Sequence, residues 1–261
     1  MSSSPPDHTR PRRPSPDLRV LVTCEHAGNR VPEAYRSLFQ GRGELLESHR
    51  GWDPGSLPLA RHLARVCDAP LRFTTVTRLL VDPNRSPGHE TLFSELTRHL
   101  PEEERRRIMA RHHRPYWSRV RGLIREWLDD GAGVLHLGVH SFTPTLDGTP
   151  RTVDVGVLYD PDREGEARFA SRLVGALESC LPRLRIGHNV PYHGTSNGLT
   201  SALRRHFGDP GYLGIELEVS QGITTAAEPE RVTFFQGMGQ ALTEALGALG
   251  REGALPVRPK E

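Results

Sequence analysis

The chain has 261 residues, of which 36% are hydrophobic and 25% are charged, and its formal net charge is +2. These proportions are ordinary for a soluble globular protein with a sizeable core. Acidic residues nearly balance the basic ones and no basic stripe with interleaved aromatics stands out, which argues against nucleic acid as a partner. No apolar run approaches the roughly 20 residues of a membrane-spanning helix, so we expect no membrane association either.

The first 17 residues are rich in Pro, Ser and Arg and lack the apolar stretch of a secretion signal. They are therefore expected to form a disordered leader. From residue 18 to 250 no linker or internal repeat interrupts the sequence, which predicts a single domain. A flexible tail is expected at 251–261.

Strand-like and helix-like segments alternate within the predicted domain. Runs of β-branched and apolar residues predict strands, and apolar residues at helical spacing predict helices. In chain order these are a strand at 19–24, a helix at 57–68, one or two strands at 71–82, a helix from 101 toward 130 that Pro115 should kink near Arg114, strands at 134–140 and 152–160, a helix at 164–181, a strand at 184–188, a glycine-rich loop at 193–199, a strand at 211–220 and a helix at 228–248. The alternation predicts an α/β fold, a three-layer mixed sheet with helices on both faces.

Two residue types are scarce enough to exclude whole classes of chemistry. Lys260 is the only lysine, so neither a Walker phosphate loop nor Schiff-base catalysis can be built within the domain. The three cysteines, Cys24, Cys67 and Cys180, are too few and too scattered for a disulfide framework or a cysteine zinc site. A reduced, cytoplasmic location is the simple interpretation.

Polar side chains gather where three predicted strands end. His26 follows the first strand, His140 ends a middle strand, and Glu216 and Glu218 lie in a late strand. Ligands of α/β sheets collect at the carboxyl ends of strands. Two neutral imidazoles with a nearby carboxylate base are what a catalytic zinc requires, so these residues predict a metal site.

A catalytic zinc usually has a third protein ligand, and the sequence leaves its identity open. Asp53 is the first choice, although it could instead cap the helix that follows. Glu25 and Asn29 are the alternatives, with Asn29 last because an amide oxygen is a poor zinc ligand beside a carboxylate.

The two glutamates of the late strand point to the same face because strand side chains alternate. Glu218 is nearer the carboxyl end of the strand, so we predict that it is the proton-transferring base. Glu216 would then be buried and paired with an arginine or a histidine, for which His136 is one candidate.

Substrate contacts are predicted in three further segments. Asn84 and Arg85, in a turn after Asp82, can form a bidentate clamp for a carboxylate, and Arg78 is a further cation for a dicarboxylic substrate. His113 lies where Pro115 should disturb a helix and could point into a site. Tyr192 begins the glycine-rich loop, which could close over a substrate.

Six motifs occur in series between about residues 19 and 225. They are CEHAGN-x-VP (24–32), GWD-x-G (51–55), DPNRS (82–86), HRPYW (113–117), GVHSFTP (138–144) and N-x-PY-x-G (189–194). Together they resemble the N-formylglutamate amidohydrolase family, which is similar in fold to zinc carboxypeptidases and to the aspartoacylase and succinylglutamate desuccinylase group. The resemblance implies a phosphorylase/hydrolase-like, zinc exopeptidase-like fold with one Zn²⁺ per chain.

The same resemblance implies roles for individual residues. His26 and His140 match the zinc ligands, Asn84 and Arg85 match a pair that grips the substrate carboxylate, and Glu218 matches the catalytic glutamate. One position departs from the pattern, because the relatives carry His-x-x-Glu where this chain has Asn29 as the fourth residue.

The expected activity is hydrolysis of the N-acyl amide of a small acidic amino acid. N-formyl-L-glutamate is the leading substrate, giving formate and L-glutamate, a step of histidine degradation. Another N-acyl amino acid or a short peptide is the alternative within the same chemistry, and a catalytically degenerate metal-binding protein is the alternative outside it. The expected partner is the small-molecule substrate, bound by a monomer or a small homo-oligomer.

Overall fold

The structure, a computed structural model, describes residues 18–251, so the predicted leader and residues 252–261 of the predicted tail lie outside the described residues. Eight strands occur in this range: β1 (Leu18–Cys24), β2 (Leu71–Phe73), β3 (Gly133–Phe142), β4 (Thr145–Leu146), β5 (Thr149–Pro150), β6 (Val155–Leu158), β7 (Ile186–His188) and β8 (Tyr212–Ser220). The α-helices are α1 (Gly43–Glu47), α2 (Ser56–Val66), α3 (Glu102–Ile108), α4 (Arg114–Asp129), α5 (Glu164–Cys180), α6 (Leu199–Phe207), α7 (Gln221–Thr224) and α8 (Glu230–Arg251).

Six of the strands form one sheet in the order β2-β1-β3-β8-β6-β7. Neighbouring strands run parallel except β6 and β8, which are antiparallel. The predicted mixed α/β sheet is therefore confirmed. β3, at the centre, is buried along its whole length, as its nearly continuous apolar sequence suggests.

Helices cover both faces of the sheet. Leu59 of α2, Phe169 of α5 and Met238 of α8 belong to the buried cluster on one face. On the other face, α4 and α6 contribute Val120 and Leu203 to a second cluster. No helix within residues 18–251 is long and apolar enough to cross a membrane.

Most predicted elements are present. The helix predicted from residue 101 is interrupted just before Pro115, as the sequence predicted. α3 ends at Ile108, one π-helical turn covers Met109–His113, and α4 starts at Arg114 with Pro115 in its first turn. A proline is tolerated there because the first-turn N–H groups have no partner within the helix.

At least three parts of the chain differ from the sequence prediction. The segment 71–82, predicted to form one or two strands, contains a single strand of three residues. The backbone from Thr74 to Thr77 leaves the ladder and bonds to the loop after β1, for example from Ala27 N to Thr74 O at 3.2 Å. The glycine-rich loop is followed at once by α6, which was not predicted. The hairpin of β4 and β5, also not predicted, turns at Asp147 and Gly148, both with positive φ.

Candidate active site

The carboxyl ends of β1, β3 and β8 lie side by side and bring three reactive side chains to one edge of the sheet. His26 follows β1 by two residues, and His140 is directly paired with Glu218 across β3 and β8. These side chains are buried, with exposed fractions of 2% for His26, 3% for His140 and 8% for Glu218. The strand register thus brings together the histidines and the glutamate that the sequence singled out.

His26, Asp53 and His140 converge on a common point. Asp53 Oδ2 lies 3.3 Å from His26 Nδ1 and 3.0 Å from His140 Nδ1. One potential ligand atom from each residue lies within 4.8 Å of the others. Two imidazoles and a carboxylate form a ligand set typical of catalytic zinc sites, so this group can hold a metal ion.

The two alternatives to Asp53 are occupied elsewhere. The Asn29 side chain donates a hydrogen bond to the Leu46 carbonyl at 3.1 Å, and Glu25 lies on the outer side of the His140 ring. Asp53 does not cap the helix that follows, because the N-cap position of α2 is occupied by Gly55.

Two buried carboxylates hold the outer nitrogens of the histidines, and the sequence analysis did not assign these roles. Asp82 Oδ1 lies 2.7 Å from His26 Nε2, and Glu25 Oε2 lies 3.2 Å from His140 Nε2. A carboxylate beside Nε2 favours a proton on that nitrogen, which would leave Nδ1 to bind a metal ion, as in carboxylate–histidine–metal arrangements.

Four carboxylates are buried around the two histidines. Glu25, Asp53, Asp82 and Glu218 are each at most 8% exposed, and Arg78 contacts Asp53 and Asp82. Buried charges in proteins are paired or coordinate metals. The donor set of imidazoles and carboxylates therefore fits a bound cation.

Glu218 lines the same region and has one carboxylate oxygen without a partner. Its Oε2 is screened from solvent and accepts no hydrogen bond from the described residues. Burial, together with repulsion from the carboxylates of Asp53 and Glu216, raises the pKa of Glu218 to about 8. A cation held by the neighbouring histidines would favour the ionised form of Glu218.

A cavity of about 200 Å³ opens onto the convergent group. Its wall is formed by His26, His49, Asp53, Arg78, Asn84, Arg85, His140, Ser141, Phe142, Thr143, Leu158, Tyr192, His193, Glu216 and Glu218. A small cavity with many convergent polar groups is suited to a small polar ligand.

The model of the N-formylglutamate amidohydrolase family matches residues 18–224. The chain belongs to this family. It is therefore an amidohydrolase, a hydrolase that acts on amide bonds.

Two solved structures resemble this amidohydrolase over nearly the whole chain. The gene product Atu2144 from Agrobacterium tumefaciens is 29% identical, with a TM-score of 0.77 and coverage of 90% of this chain and 93% of the other. The N-formylglutamate amidohydrolase from Ralstonia eutropha JMP134 is 17% identical, with a TM-score of 0.66 and coverage of 92% and 96%. The second likeness supports the fold alone. No curated protein matches the sequence.

The Asn84–Arg85 turn forms part of the cavity wall of the amidohydrolase and is held rigidly. The Asn84 backbone N–H donates to Asp82 Oδ1 at 2.8 Å, and Asn84 Oδ1 accepts the Leu199 N–H at 2.8 Å. Arg85 donates to the Asn197 carbonyl at 2.5 Å and has no carboxylate within ion-pair distance in residues 18–251. The predicted carboxylate clamp thus lies in the cavity.

Arg78 lines the cavity as predicted, but its charge is already matched. Its Nη2 lies 2.8 Å from Asp82 Oδ2, and its Nη1 lies 3.5 Å from Asp53 Oδ1. Ionic partners on both sides leave Arg78 ill-suited to bind the second carboxylate of a substrate, the role expected from the sequence.

His113 does not line the cavity. Its ring is 1% exposed, stacks on Trp117 with ring centroids 5.0 Å apart, and lies 2.8 Å from the Arg85 carbonyl through Nε2. The expected direct contact with substrate is therefore not supported. The π-helical turn thus places His113 against the backbone of the Asn84–Arg85 turn rather than in the cavity.

The expectation for Glu216 is also wrong. Glu216 is half-buried in the cavity wall and accepts a short hydrogen bond from the Thr200 hydroxyl of α6. His136 has other partners: its Nε2 lies 2.8 Å from the Thr23 hydroxyl, and its Nδ1 lies 2.7 Å from the Tyr212 hydroxyl. The helix that supplies Thr200 was missing from the sequence prediction, so this partner could not be foreseen.

Tyr192 forms the outer wall of the cavity and is 42% exposed. Its loop is fixed by Asn189, whose side-chain oxygen accepts the Tyr159 N–H and the Gly194 N–H, both at 3.0 Å. Gly194 permits this approach, since a Cβ there would lie 2.2 Å from the Tyr159 nitrogen.

Proposed function

We propose that this amidohydrolase is zinc-dependent and cleaves the N-acyl amide of a small acidic amino acid. N-formyl-L-glutamate is the leading substrate, and formate and L-glutamate are the products. The observation that carries the proposal is the buried His26, Asp53 and His140 group directly beside Glu218.

The metal would be held by His26 Nδ1, His140 Nδ1 and an oxygen of Asp53. Nitrogen and oxygen ligands with three protein donors are typical of catalytic zinc, which keeps its remaining position open. When bound, zinc would supply Lewis-acid polarisation of the acyl oxygen and a more acidic water. Asp82 and Glu25 would fix the orientation of the two histidines.

Glu218 would move the proton. Glu218 lines the cavity and its Oε2 has no hydrogen-bond partner among the described residues, so it can accept a proton from the attacking water and deliver it to the leaving amide nitrogen. Arg78, oriented by Asp82 and Asp53, would donate to the acyl oxygen as negative charge develops there.

Asn84 and Arg85 would hold the α-carboxylate of the substrate. Both line the cavity, and Arg85 carries a charge that no neighbouring carboxylate within residues 18–251 neutralises. A planar guanidinium matches the geometry of a carboxylate. Tyr192, at the outer wall, would cover the bound substrate.

One feature of the wall favours a second candidate substrate. Glu216 places a carboxylate in the cavity, which suits an N-acyl amino acid with a neutral or cationic side chain. In either case we propose a cytoplasmic enzyme of histidine or related amino-acid breakdown, with the small-molecule substrate as its partner, acting as a monomer or small homo-oligomer.

A panel of N-acyl amino acids tests the proposal. The zinc-loaded enzyme should release formate and free amine from N-formyl-L-glutamate, and His140→Ala should lose both the metal and the activity. His206→Ala, on α6 away from the cavity, is the matched control and should keep both. Full activity of His140→Ala, or no release from any N-acyl amino acid, would refute the proposal.

A further inference from the structure

A dicarboxylic substrate requires two cationic sites in or beside the cavity. Arg85 can serve the α-carboxylate, but Arg78 is ion-paired with Asp82 and Asp53. The side-chain carboxylate of an N-acylglutamate therefore needs a different cation, one whose charge no protein carboxylate already matches.

Arg151 meets this requirement. It directly follows β5, and its backbone N–H donates to the Pro144 carbonyl at 2.8 Å, which closes the β4–β5 hairpin. The guanidinium carbon lies 5.2 Å from the centre of the Tyr192 ring, and Nη2 donates to the Tyr192 hydroxyl at 3.2 Å. Within residues 18–251 no carboxylate lies within ion-pair distance of Arg151, and its Nε is screened from solvent without a hydrogen-bond partner.

We propose that Arg151, together with the Tyr192 hydroxyl, binds the side-chain carboxylate of the substrate and so sets the preference for acidic amino acids. This inference rests on the proposed function. Arg151 lies behind the cavity wall, in contact with Tyr192, which forms part of that wall, whereas Arg85 belongs to the turn after Asp82. The two uncompensated cations thus come from separate segments, as the two carboxylates of one substrate require.

The hydrogen bond between the two residues also suits this role. Tyr192 accepts from Arg151 Nη2, so its own hydroxyl proton remains available to a ligand. A carboxylate placed beside them would accept one bond from the phenol and a charge-assisted bond from the guanidinium. Stacking on the tyrosine ring limits the freedom of the arginine, which reduces the entropy lost on binding.

Glu216 defines the competing outcome. If this carboxylate, rather than Arg151, contacted the substrate side chain, the cavity would prefer a cationic side chain. N-formyl-L-arginine would then bind more tightly than N-formyl-L-glutamate, and removal of the Arg151 charge would not weaken the binding of N-formyl-L-glutamate.

Direct binding tests the inference without requiring turnover. Calorimetry would measure N-formyl-L-glutamate, N-formyl-L-glutamine and N-formyl-L-arginine on the zinc-loaded full chain with Glu218→Gln, which prevents hydrolysis. Arg151→Met removes the charge and keeps a flexible, unbranched side chain, and Arg151→Lys retains the charge. Arg36→Met is the matched control, since Arg36 is 68% exposed on the turn of 3₁₀ helix at Glu33–Phe39.

The expected result is a loss of affinity for N-formyl-L-glutamate on the order of 10-fold to 100-fold in Arg151→Met, as for a lost hydrogen bond to a charged group. Affinity for N-formyl-L-glutamine should change little, and Arg151→Lys should recover part of the loss. An equal loss for both ligands would mean that Arg151 only supports the loop and would overturn the inference, as would a preference for N-formyl-L-arginine. Discrimination in binding without turnover in the unmodified enzyme would instead refute the proposed function alone.

Discussion

The carboxylate of Asp82 holds His26 from behind the proposed metal, so Asp82→Asn is a sensitive test of the arrangement. The substitution keeps the size of the side chain and removes its charge. Asp82 is 4% exposed, and its Oδ1 lies 2.7 Å from His26 Nε2. Its Oδ2 lies 2.8 Å from Arg78 Nη2, and its Oδ1 also accepts the Asn84 N–H at 2.8 Å. The substitution therefore removes the charge that both His26 and Arg78 contact.

The expected effect is a weaker metal site rather than an unfolded protein. Without the charge of Asp82, His26 becomes a less basic ligand, and Arg78 is drawn more strongly to Asp53, which competes with the metal for that carboxylate. Changes of such outer partners typically lower metal affinity or activity by about 10-fold to 100-fold. We expect a loss in this range for zinc affinity.

Competition with a chromogenic chelator would measure the zinc dissociation constant, with thermal unfolding as a check on the fold. Asp154→Asn is the matched control, because Asp154 forms a comparable ion pair with Arg185 at 2.8 Å away from the cavity. Zinc affinity in Asp82→Asn equal to that of the unmodified enzyme would refute the assignment of His26 as a ligand held by Asp82.

Three further predictions concern the base, the pH dependence of stability and the outer loop. Glu218→Gln should retain zinc and substrate yet lose on the order of 10²-fold or more in kcat, whereas an active Glu218→Gln beside a folded but inactive Glu216→Gln would reverse their roles. Burial lowers the pKa of His136 from 6.5 to about 4, so below pH 6.5 the unfolded chain binds a proton that the folded chain does not. The free energy of unfolding of the metal-free protein should therefore fall by roughly 2 kcal/mol between pH 7.5 and 5 through this residue, and denaturant titrations that show the same fall in His136→Gln would contradict the cause. Gly194→Ala places a methyl group 2.2 Å from the Tyr159 nitrogen, so the loop must shift and KM should rise; steady-state kinetics with an unchanged KM would argue against a loop in contact with substrate.

Much of the fold could be predicted because the spacing of apolar residues along the sequence indicates which side chains are buried and in what type of element. β1, β3 and β8 are apolar runs at the centre of the sheet, and their order along the chain with intervening helices indicates the α/β class. α6 was missed although Leu199, Leu203 and Phe207 recur at helical spacing, since the glycine and serine residues before it favour a loop. The antiparallel direction of β6 depends on how the chain returns to the sheet, and no local pattern encodes that.

The candidate site, too, could be predicted only in part. His26, His140 and Glu218 could be selected because each stands at a strand end, where the sheet itself fixes the position. The contact of Asp82 with His26 could not be predicted, because it depends on how the loop that carries Asp82 folds back onto the end of β1. Arg78 lines the cavity as predicted, but its ion pair with Asp82, four residues later in the chain, could not be read from the sequence.

The metal dependence of amide hydrolysis tests the central claim most directly. The enzyme would be stripped of metal with a chelator and titrated with zinc while formate release from N-formyl-L-glutamate is followed. We predict no release from the metal-free enzyme and full recovery at one zinc per chain, with no recovery in His26→Ala. Undiminished release after the metal has been removed, confirmed by mass spectrometry of the same sample, would contradict the account.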